Sequence, residues 1–431
     1  MTTAAVALGL ALVVAGGVLG APQGGHAAAP DSVVLTEDAL GDQISRTQQR
    51  LTQVPGDWTS WAGLALLYLE RSRTTGDPTW YTKAQGAVER SFALHPAANT
   101  DASIAAGALA NSRHDFAAGR RYARDAIAAN AYSAEAYGVL GDAETQLGHR
   151  DAATAAIQRM LDLRPGLPAY SRAAYDLEQH GRTDEAQALL QRALADAAHP
   201  TDVAFCQVAL GDLAWRTGRL AEAADLYASA LRADQSNLAA LLGRARVEAA
   251  DGDVEAALAD YATLTRRAPL PAYFLEYADL LQATGSATAQ DKAQTQVRLA
   301  TAAESLFVAN GGIDGLTDVA VALATGDARS ALTAAKKEWS RRQFADVADA
   351  MAQALYANGE PSQALHYADL AVDTGAPNAA YAYHRGLINL ALGRTAQARE
   401  DLALALQTNP AFAPLDATAA HAALRWLGGT R

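Results

Sequence analysis

The 431-residue sequence has very little cysteine and little charge. Cys206 is its one cysteine, which excludes an internal disulfide and a zinc site built from cysteines. Charged residues make up 19% of the chain, with 47 acidic against 35 basic side chains and a net charge of −12. Binding to nucleic acid needs a basic face, so we expect no nucleic-acid partner. Hydrophobic residues make up 50%, which excludes disorder over most of the length.

The sequence also lacks the common motifs of catalytic sites. It has no G-x-x-x-x-G-K-[ST] phosphate loop, no G-x-S-x-G elbow and no H-E-x-x-H zinc motif. Its nine histidines never pair four residues apart, and Cys206 has no adjacent histidine and carboxylate, so we interpret it as a small buried residue. Acidic pairs such as Glu37-Asp38 and Glu400-Asp401 are interpreted as solvated charges. We therefore expect no catalytic residue, no metal ligand and no cofactor.

The first 30 residues differ in composition from the rest. Ala4–Ala21 is an uncharged run of Ala, Val, Leu and Gly, Pro22–Pro30 is rich in Gly and Ala, and Asp31 is the first charge. An apolar run followed by small residues is typical of a secretory signal peptide, cleaved here after Ala27 or Ala28. The Lys or Arg residues that usually begin a signal peptide are missing from Met1-Thr2-Thr3. A weak membrane anchor is therefore one alternative, and a cytoplasmic protein with a loose tail is another. We expect a location outside the cytoplasm, secreted or membrane-anchored.

From Trp58 onward one pattern returns about every 34 residues, most clearly in three stretches. These are Ala134–Pro165, Ala204–Gln235 and Ala379–Pro410. Each has glycine at positions eight (Gly141, Gly211, Gly386) and fifteen (Gly148, Gly218, Gly393), and alanine at position twenty (Ala153, Ala223, Ala398). Two helices joined by a glycine turn explain the period, since small residues allow close approach and glycine accepts a positive φ. Such pairs must stack to bury their apolar stripes.

This pattern resembles the tetratricopeptide repeat, over about 375 residues. Ten units begin near Trp58, Thr100, Ala134, Leu167, Ala204, Leu238, Pro271, Gly312, Ala345 and Ala379. The resemblance implies an all-α fold, a right-handed α-solenoid of about ten helix pairs with an N-terminal half-repeat and a C-terminal capping helix. Unit seven is longer, and we place its extra residues at Ser286–Asp291, ahead of a second helix over Lys292–Ala309.

The sequence therefore divides into four predicted segments. Residues 1–30 form the signal peptide or anchor with its linker, and residues 31–57 form a junction, Asp31–Leu35, and the N-terminal capping helix. Residues 58–412 form the repeat array, and residues 413–431 form the capping helix and tail. In that last helix, Trp426 and Leu427 are expected to bury against unit ten.

The resemblance also implies where a partner would bind. In each unit, certain positions of the first helix line the concave surface of the solenoid. In this chain they are Tyr175, Glu178, Asp212, Trp215, Arg216, Arg246, Asp279, Gln282, Gln353, Tyr356 and Tyr383. Aromatic residues beside arginine and carboxylates are typical of a recognition surface. We expect a non-catalytic scaffold for a protein or peptide segment, with a membrane-anchored cytoplasmic adaptor as the alternative and an enzyme as the third.

Overall fold

A computed structural model describes residues 37–429 of the chain. Over these residues the chain forms 22 α-helices and no strand. The predicted all-α solenoid is confirmed. The predicted apolar run Ala4–Ala21, the linker Pro22–Pro30 and the junction Asp31–Leu35 lie outside the described residues.

Ten helix pairs follow an N-terminal capping helix, α1 (Glu37–Gln53), and precede a C-terminal one, α22 (Pro414–Gly429). The pairs, here called units one to ten, are α2 (Trp58–Thr75) with α3 (Thr79–Leu94), α4 (Thr100–Ser112) with α5 (Phe116–Ala129), α6 (Ala134–Leu147) with α7 (Arg150–Leu163), α8 (Leu167–Gln179) with α9 (Thr183–Asp196), α10 (Pro200–Arg216) with α11 (Leu220–Ala233), α12 (Leu238–Asp251) with α13 (Val254–Arg267), α14 (Pro271–Ala283) with α15 (Ala287–Ala309), α16 (Gly315–Ala324) with α17 (Ala328–Arg341), α18 (Ala345–Ala357) with α19 (Pro361–Val372), and α20 (Ala379–Ala391) with α21 (Thr395–Thr408).

Three helices begin at residues other than those expected from the sequence. Helix α10 begins at Pro200, four residues before Ala204, because proline is well tolerated in the first turn of a helix. Helix α16 begins at Gly315. The extra residues of unit seven are helical, since Ser286 caps α15 by accepting a hydrogen bond from the Ala289 amide, 3.1 Å away. Helix α15 is therefore 23 residues long.

The small residues of the repeat lie where the two helices of a unit are in close contact. A Cβ added at Gly386, in α20, would lie 2.9 Å from Leu402 of α21, so the two helices are in close contact there. Ala223 and Ala398, at position twenty of their units, are fully buried. The turn glycines Gly218 and Gly393 have φ of +71° and +72°, a conformation that L side chains rarely adopt.

Two expectations about single residues were wrong. Leu427 is 1% exposed, but Trp426 is 59% exposed, because adjacent residues of a helix point about 100° apart and only one of them faces the array. Asp401 is buried rather than solvated. It accepts hydrogen bonds from Arg385 and, at 2.9 Å, from the Asn389 amide, which compensate for its lost hydration.

Glu304 of α15 is a buried carboxyl for which the described residues provide no hydrogen-bond donor. Burial, with Asp314 and Asp318 nearby, raises the pKa of Glu304 to about 9. The folded chain therefore keeps a proton that the unfolded chain releases near pH 4.5. The resulting stabilisation is complete below that pH and is lost as the pH rises towards about 9.

We expect Glu304→Gln to flatten this dependence. Wild-type stability should fall between pH 6 and pH 9 by roughly 3–4 kcal/mol more than that of the variant, measured by urea unfolding at both pH values. Glu400→Gln, at an exposed glutamate, is the control and should keep the wild-type slope. Equal slopes for wild type and Glu304→Gln would contradict the assignment of this carboxyl.

Candidate functional site

The solenoid is wound so tightly that its successive superhelical turns touch. The turn between the two helices of each of the first five units contacts the linkage that follows the unit five places further along. These contacts, here called the inter-turn contacts, join Gly76 to Ala268, Arg113 to Asn310 and Ile313, Gly148 to Gln343, Gly181 to Gly375, and Trp215 to Asn409. Hydrogen bonds form part of them, since the Ile313 amide donates to the Arg113 carbonyl at 2.9 Å and the Asn409 side chain to the Trp215 carbonyl at 2.8 Å.

This winding narrows the concave side to a cavity of about 510 Å³, here called the inner chamber. Units four to seven form one wall, and units nine and ten with α22 form the other. Its lining includes Tyr175, Glu178, Asp212, Trp215, Arg216, Arg246, Tyr261, Glu276, Asp279, Asp346, Tyr381 and Phe412. Exposed residues at its mouth include Thr284, Thr418 and His421.

Seven of the eleven residues predicted for the concave surface line the inner chamber. They are Tyr175, Glu178, Asp212, Trp215, Arg216, Arg246 and Asp279. The structure places the other four elsewhere. Gln282 is half-buried outside the chamber lining, and Gln353 donates to Asp349 at 2.7 Å. Tyr356 packs half-buried against the core of units eight to ten.

Tyr383 lies in the core rather than on the concave surface. It is 4% exposed and packs with Leu402 of α21 and with Ala420 and Leu427 of α22. Its ring centroid is 5.5 Å from that of Phe412. The capping helix covers this side of unit ten, and the equivalent positions of earlier units, Val208 and Leu242, are buried as well.

Paired charges join the first helices of consecutive units along the inner wall. The Arg216 guanidinium binds both carboxylate oxygens of Glu178, with Nη2 2.7 Å from Oε2. Arg246 binds Glu276 in the same bidentate way, at 2.9 and 2.6 Å. Bidentate pairs of this kind are strong and fix side-chain orientation. The two arginines of the chamber are thus already neutralised by glutamates.

Tyrosines supply the other donors to the chamber carboxylates. The Tyr227 hydroxyl of α11 donates to Asp212 at 2.7 Å, and the Tyr261 hydroxyl of α13 donates to Glu276 at 3.1 Å. The Tyr381 hydroxyl donates to Asp346. These bonds come from the repeat register, because Tyr227 and Tyr261 occupy the same position of consecutive second helices.

Three aspartates of the chamber have raised pKa values. Burial raises the pKa of Asp346 to about 6, although the hydrogen bond from Tyr381 opposes that shift. Burial also raises the pKa of Asp212. The pKa of Asp279 is raised by burial and then by the carboxylates of Asp416 and Glu276. The chamber therefore holds more acidic groups than its own cations neutralise.

Several chamber residues are not among those predicted from the sequence. Asp346 stands at the second position of unit nine, one of the inner positions, and could have been found from the repeat register. Glu276 and Tyr381 stand at positions that the register does not assign to the concave surface. Phe412 lies in the linkage before α22, and it lines the chamber because the superhelix brings that linkage opposite units four to seven.

The described residues offer few candidates for a metal ligand or a catalytic nucleophile. Within residues 37–429, no group of three or more His, Cys, Asp or Glu side chains is placed so that it could hold a metal ion. Cys206 is fully buried, and burial, followed by the nearby Asp202, raises the pKa of its thiol to about 12, so the thiolate does not form at neutral pH. Among helices α1 to α22, none is both long and apolar enough to cross a membrane.

The tetratricopeptide repeat is the family whose sequence model matches the chain, over residues 208–281 and 350–414. No curated protein matches it in sequence. Among solved structures, a tetratricopeptide repeat protein of Parabacteroides merdae is 20% identical over 61% of this chain and 99% of its own, with a TM-score of 0.36. A thermophilic tetratricopeptide repeat protein of Thermus thermophilus is 22% identical over 39% of this chain and 90% of its own, with a TM-score of 0.36.

A chain of the human IFIT1 dimer with PPP-AAAA is 11% identical, over 87% of this chain and 95% of its own, with a TM-score of 0.47. At these identities the likeness to solved structures concerns the fold alone.

Proposed function

We propose that the chain is a tetratricopeptide repeat protein that acts as a non-catalytic scaffold, and that its inner chamber holds a segment of a partner protein. The observation that carries this proposal is the chamber itself. Its volume of about 510 Å³ falls within the range of sites that bind ligands. Its wall combines Trp215 and Tyr175 with Arg216, the residue types that dominate binding energy at protein interfaces.

The chamber wall is rigid, which favours selective binding. Each arginine is held by two hydrogen bonds, and Trp215 is buried with its carbonyl bonded to Asn409. A wall held in this way loses little conformational entropy when a partner binds. The mouth at Thr284 and His421 is exposed and provides the entrance for a chain segment.

Photo-crosslinking tests the proposal. A benzophenone side chain placed at the exposed position of His421, which lines the chamber, should form a covalent adduct with a protein segment in the native host. The same group at Tyr132, exposed in the linkage between α5 and α6, is the control and should give no such adduct. No adduct from position 421, or the same adduct from both positions, would refute binding in the chamber.

We propose that the scaffold works outside the cytoplasm, secreted or membrane-anchored through residues 4–21. The support is the sequence of residues 1–30, with its apolar run and small residues. Intact-mass measurement of the protein from its host should show the loss of the first 27 or 28 residues if the segment is cleaved. Full-length protein in the cytoplasmic fraction would favour the alternative, a membrane-anchored or soluble cytoplasmic adaptor.

A further inference from the structure

The inner chamber contains more carboxylates than cations. Its carboxylates are Glu178, Asp212, Glu276, Asp279 and Asp346, and its arginines are Arg216 and Arg246. Each arginine is already bound through two hydrogen bonds to a glutamate. Three aspartates therefore have no guanidinium of their own, and the chamber offers no free cation to an anionic ligand.

Asp279 differs from the other two aspartates. Asp212 and Asp346 each accept a hydrogen bond from a tyrosine, whereas Asp279 accepts none from the described residues. It lies on α14 one helical turn after Glu276, and α14 packs against the capping helix α22. After burial, the carboxylates of Asp416 and Glu276 raise the pKa of Asp279, and both chamber arginines are bound to glutamates instead.

Aromatic rings and an unused hydroxyl complete the wall. Trp215, Tyr175 and Phe412 line the same cavity, and the face of an aromatic ring attracts cations. The Tyr175 hydroxyl is buried and has no hydrogen-bond partner among the described residues. A buried polar group without a partner is costly, and a ligand that supplies one relieves that cost.

We propose that the inner chamber binds the cationic side chain of a basic segment of the partner, an arginine or lysine, with Asp279 as the carboxylate that receives it. The proposal rests on the proposed function and adds the chemistry of the bound segment. A cation beside Asp279 compensates the excess of carboxylates, and the rings of Trp215 and Phe412 cover its apolar stem.

Calorimetric titration of the full chain with blocked pentapeptides tests this assignment. The probes have alanine at the outer positions and arginine, lysine, citrulline or glutamate at the centre. The arginine or the lysine peptide should bind at least about tenfold more tightly than the citrulline and glutamate peptides. Citrulline keeps the shape of arginine without its charge, so this comparison isolates the charge. Agmatine, which carries a guanidinium without a peptide, should bind more weakly.

Variants locate the binding within the chamber. Asp279→Asn should weaken binding of the basic peptide about tenfold and leave the fold stable, because asparagine has nearly the same shape and the carboxyl that it replaces accepts no hydrogen bond from the described residues. Asp225→Asn, at an exposed position of α11, makes the same charge change and should alter the affinity less than about twofold.

Three results would overturn the proposal: equal binding of the arginine, citrulline and glutamate peptides, no binding of either basic peptide at about 5 mM, or an Asp279→Asn variant with unchanged affinity. Agmatine that binds as tightly as the peptide would identify a small-molecule cation instead. The scaffold function and the cationic assignment can fail independently of each other. If the segment crosslinked at position 421 has no basic residue, the scaffold function stands and the cationic assignment falls.

Discussion

Arg342→Met should lower the free energy of unfolding by about 3 kcal/mol and loosen the superhelix. Arg342 lies at the inter-turn contact between units three and eight and is 5% exposed. Its guanidinium donates to Gln146 of α6 at 2.6 Å and to Glu338 of α17, and it lies 5.1 Å from the Phe116 ring centroid. Methionine keeps much of the volume but leaves the buried Glu338 with one cationic partner, Arg341.

Urea unfolding gives the stability change, and small-angle X-ray scattering gives the change in shape. We expect the variant to have a larger radius of gyration, because a bond between two superhelical turns is lost. Arg329→Met is the matched control, since Arg329 is exposed on α17, the helix that ends just before Arg342, and the unfolding free energy of this variant should change by less than about 0.5 kcal/mol. Equal losses of unfolding free energy in both variants would show that the hydrogen bonds of Arg342 stabilise the fold no more than an exposed arginine does.

The inter-turn contacts change how such an array is expected to unfold. In an open repeat array each unit contacts only its neighbours, so stability is close to a sum of local terms. Here the first five units also contact linkages five units further along the chain. These contacts couple distant units, and those of units four and five join the two walls of the inner chamber. The shape of the chamber and the stability of the array therefore depend on the same contacts.

The fold could be predicted from the sequence because its determinants are local. Glycine at the turn, small residues where two helices cross and an apolar stripe on each helix recur in every clear copy, and each acts within one unit. The same register predicted seven chamber residues, among them Trp215 and Asp279, since a position that faces inward in one unit faces inward in the next.

The remaining features depend on the superhelix as a whole. The contact of Gly181 with Gly375 depends on small rotations between units that accumulate along the array. The sequence pattern of a single unit does not indicate how large the accumulated rotation is. The position of Phe412 at the chamber has the same origin, whereas Tyr383 is buried by α21 and α22, which directly follow its own helix. Asp401 was misassigned for a different reason. Charge in a sequence indicates exposure unless a partner is known, and Arg385 lies 16 residues away.

Gly243→Ala should lower the free energy of unfolding by about 2–3 kcal/mol, although alanine is the better helix former. The Tyr227 ring is fully buried between α10 and α12. A Cβ added at Gly243 would lie 2.2 Å from the ring and one at Gly211 2.7 Å from it, so the ring has no room to yield. Displacing the ring would also break the bond of its hydroxyl to Asp212 in the chamber wall.

Gly86→Ala makes the same substitution at a glycine where an added Cβ meets nothing within 4 Å, exposed in the middle of α3. Only backbone entropy acts there, so this variant should be more stable than the wild type by roughly 0.5–1 kcal/mol. Urea unfolding of both variants therefore gives changes of opposite sign. If Gly243→Ala were also stabilising, the close contact around Tyr227 would not limit the packing of units five and six, and small residues at that position would need another explanation.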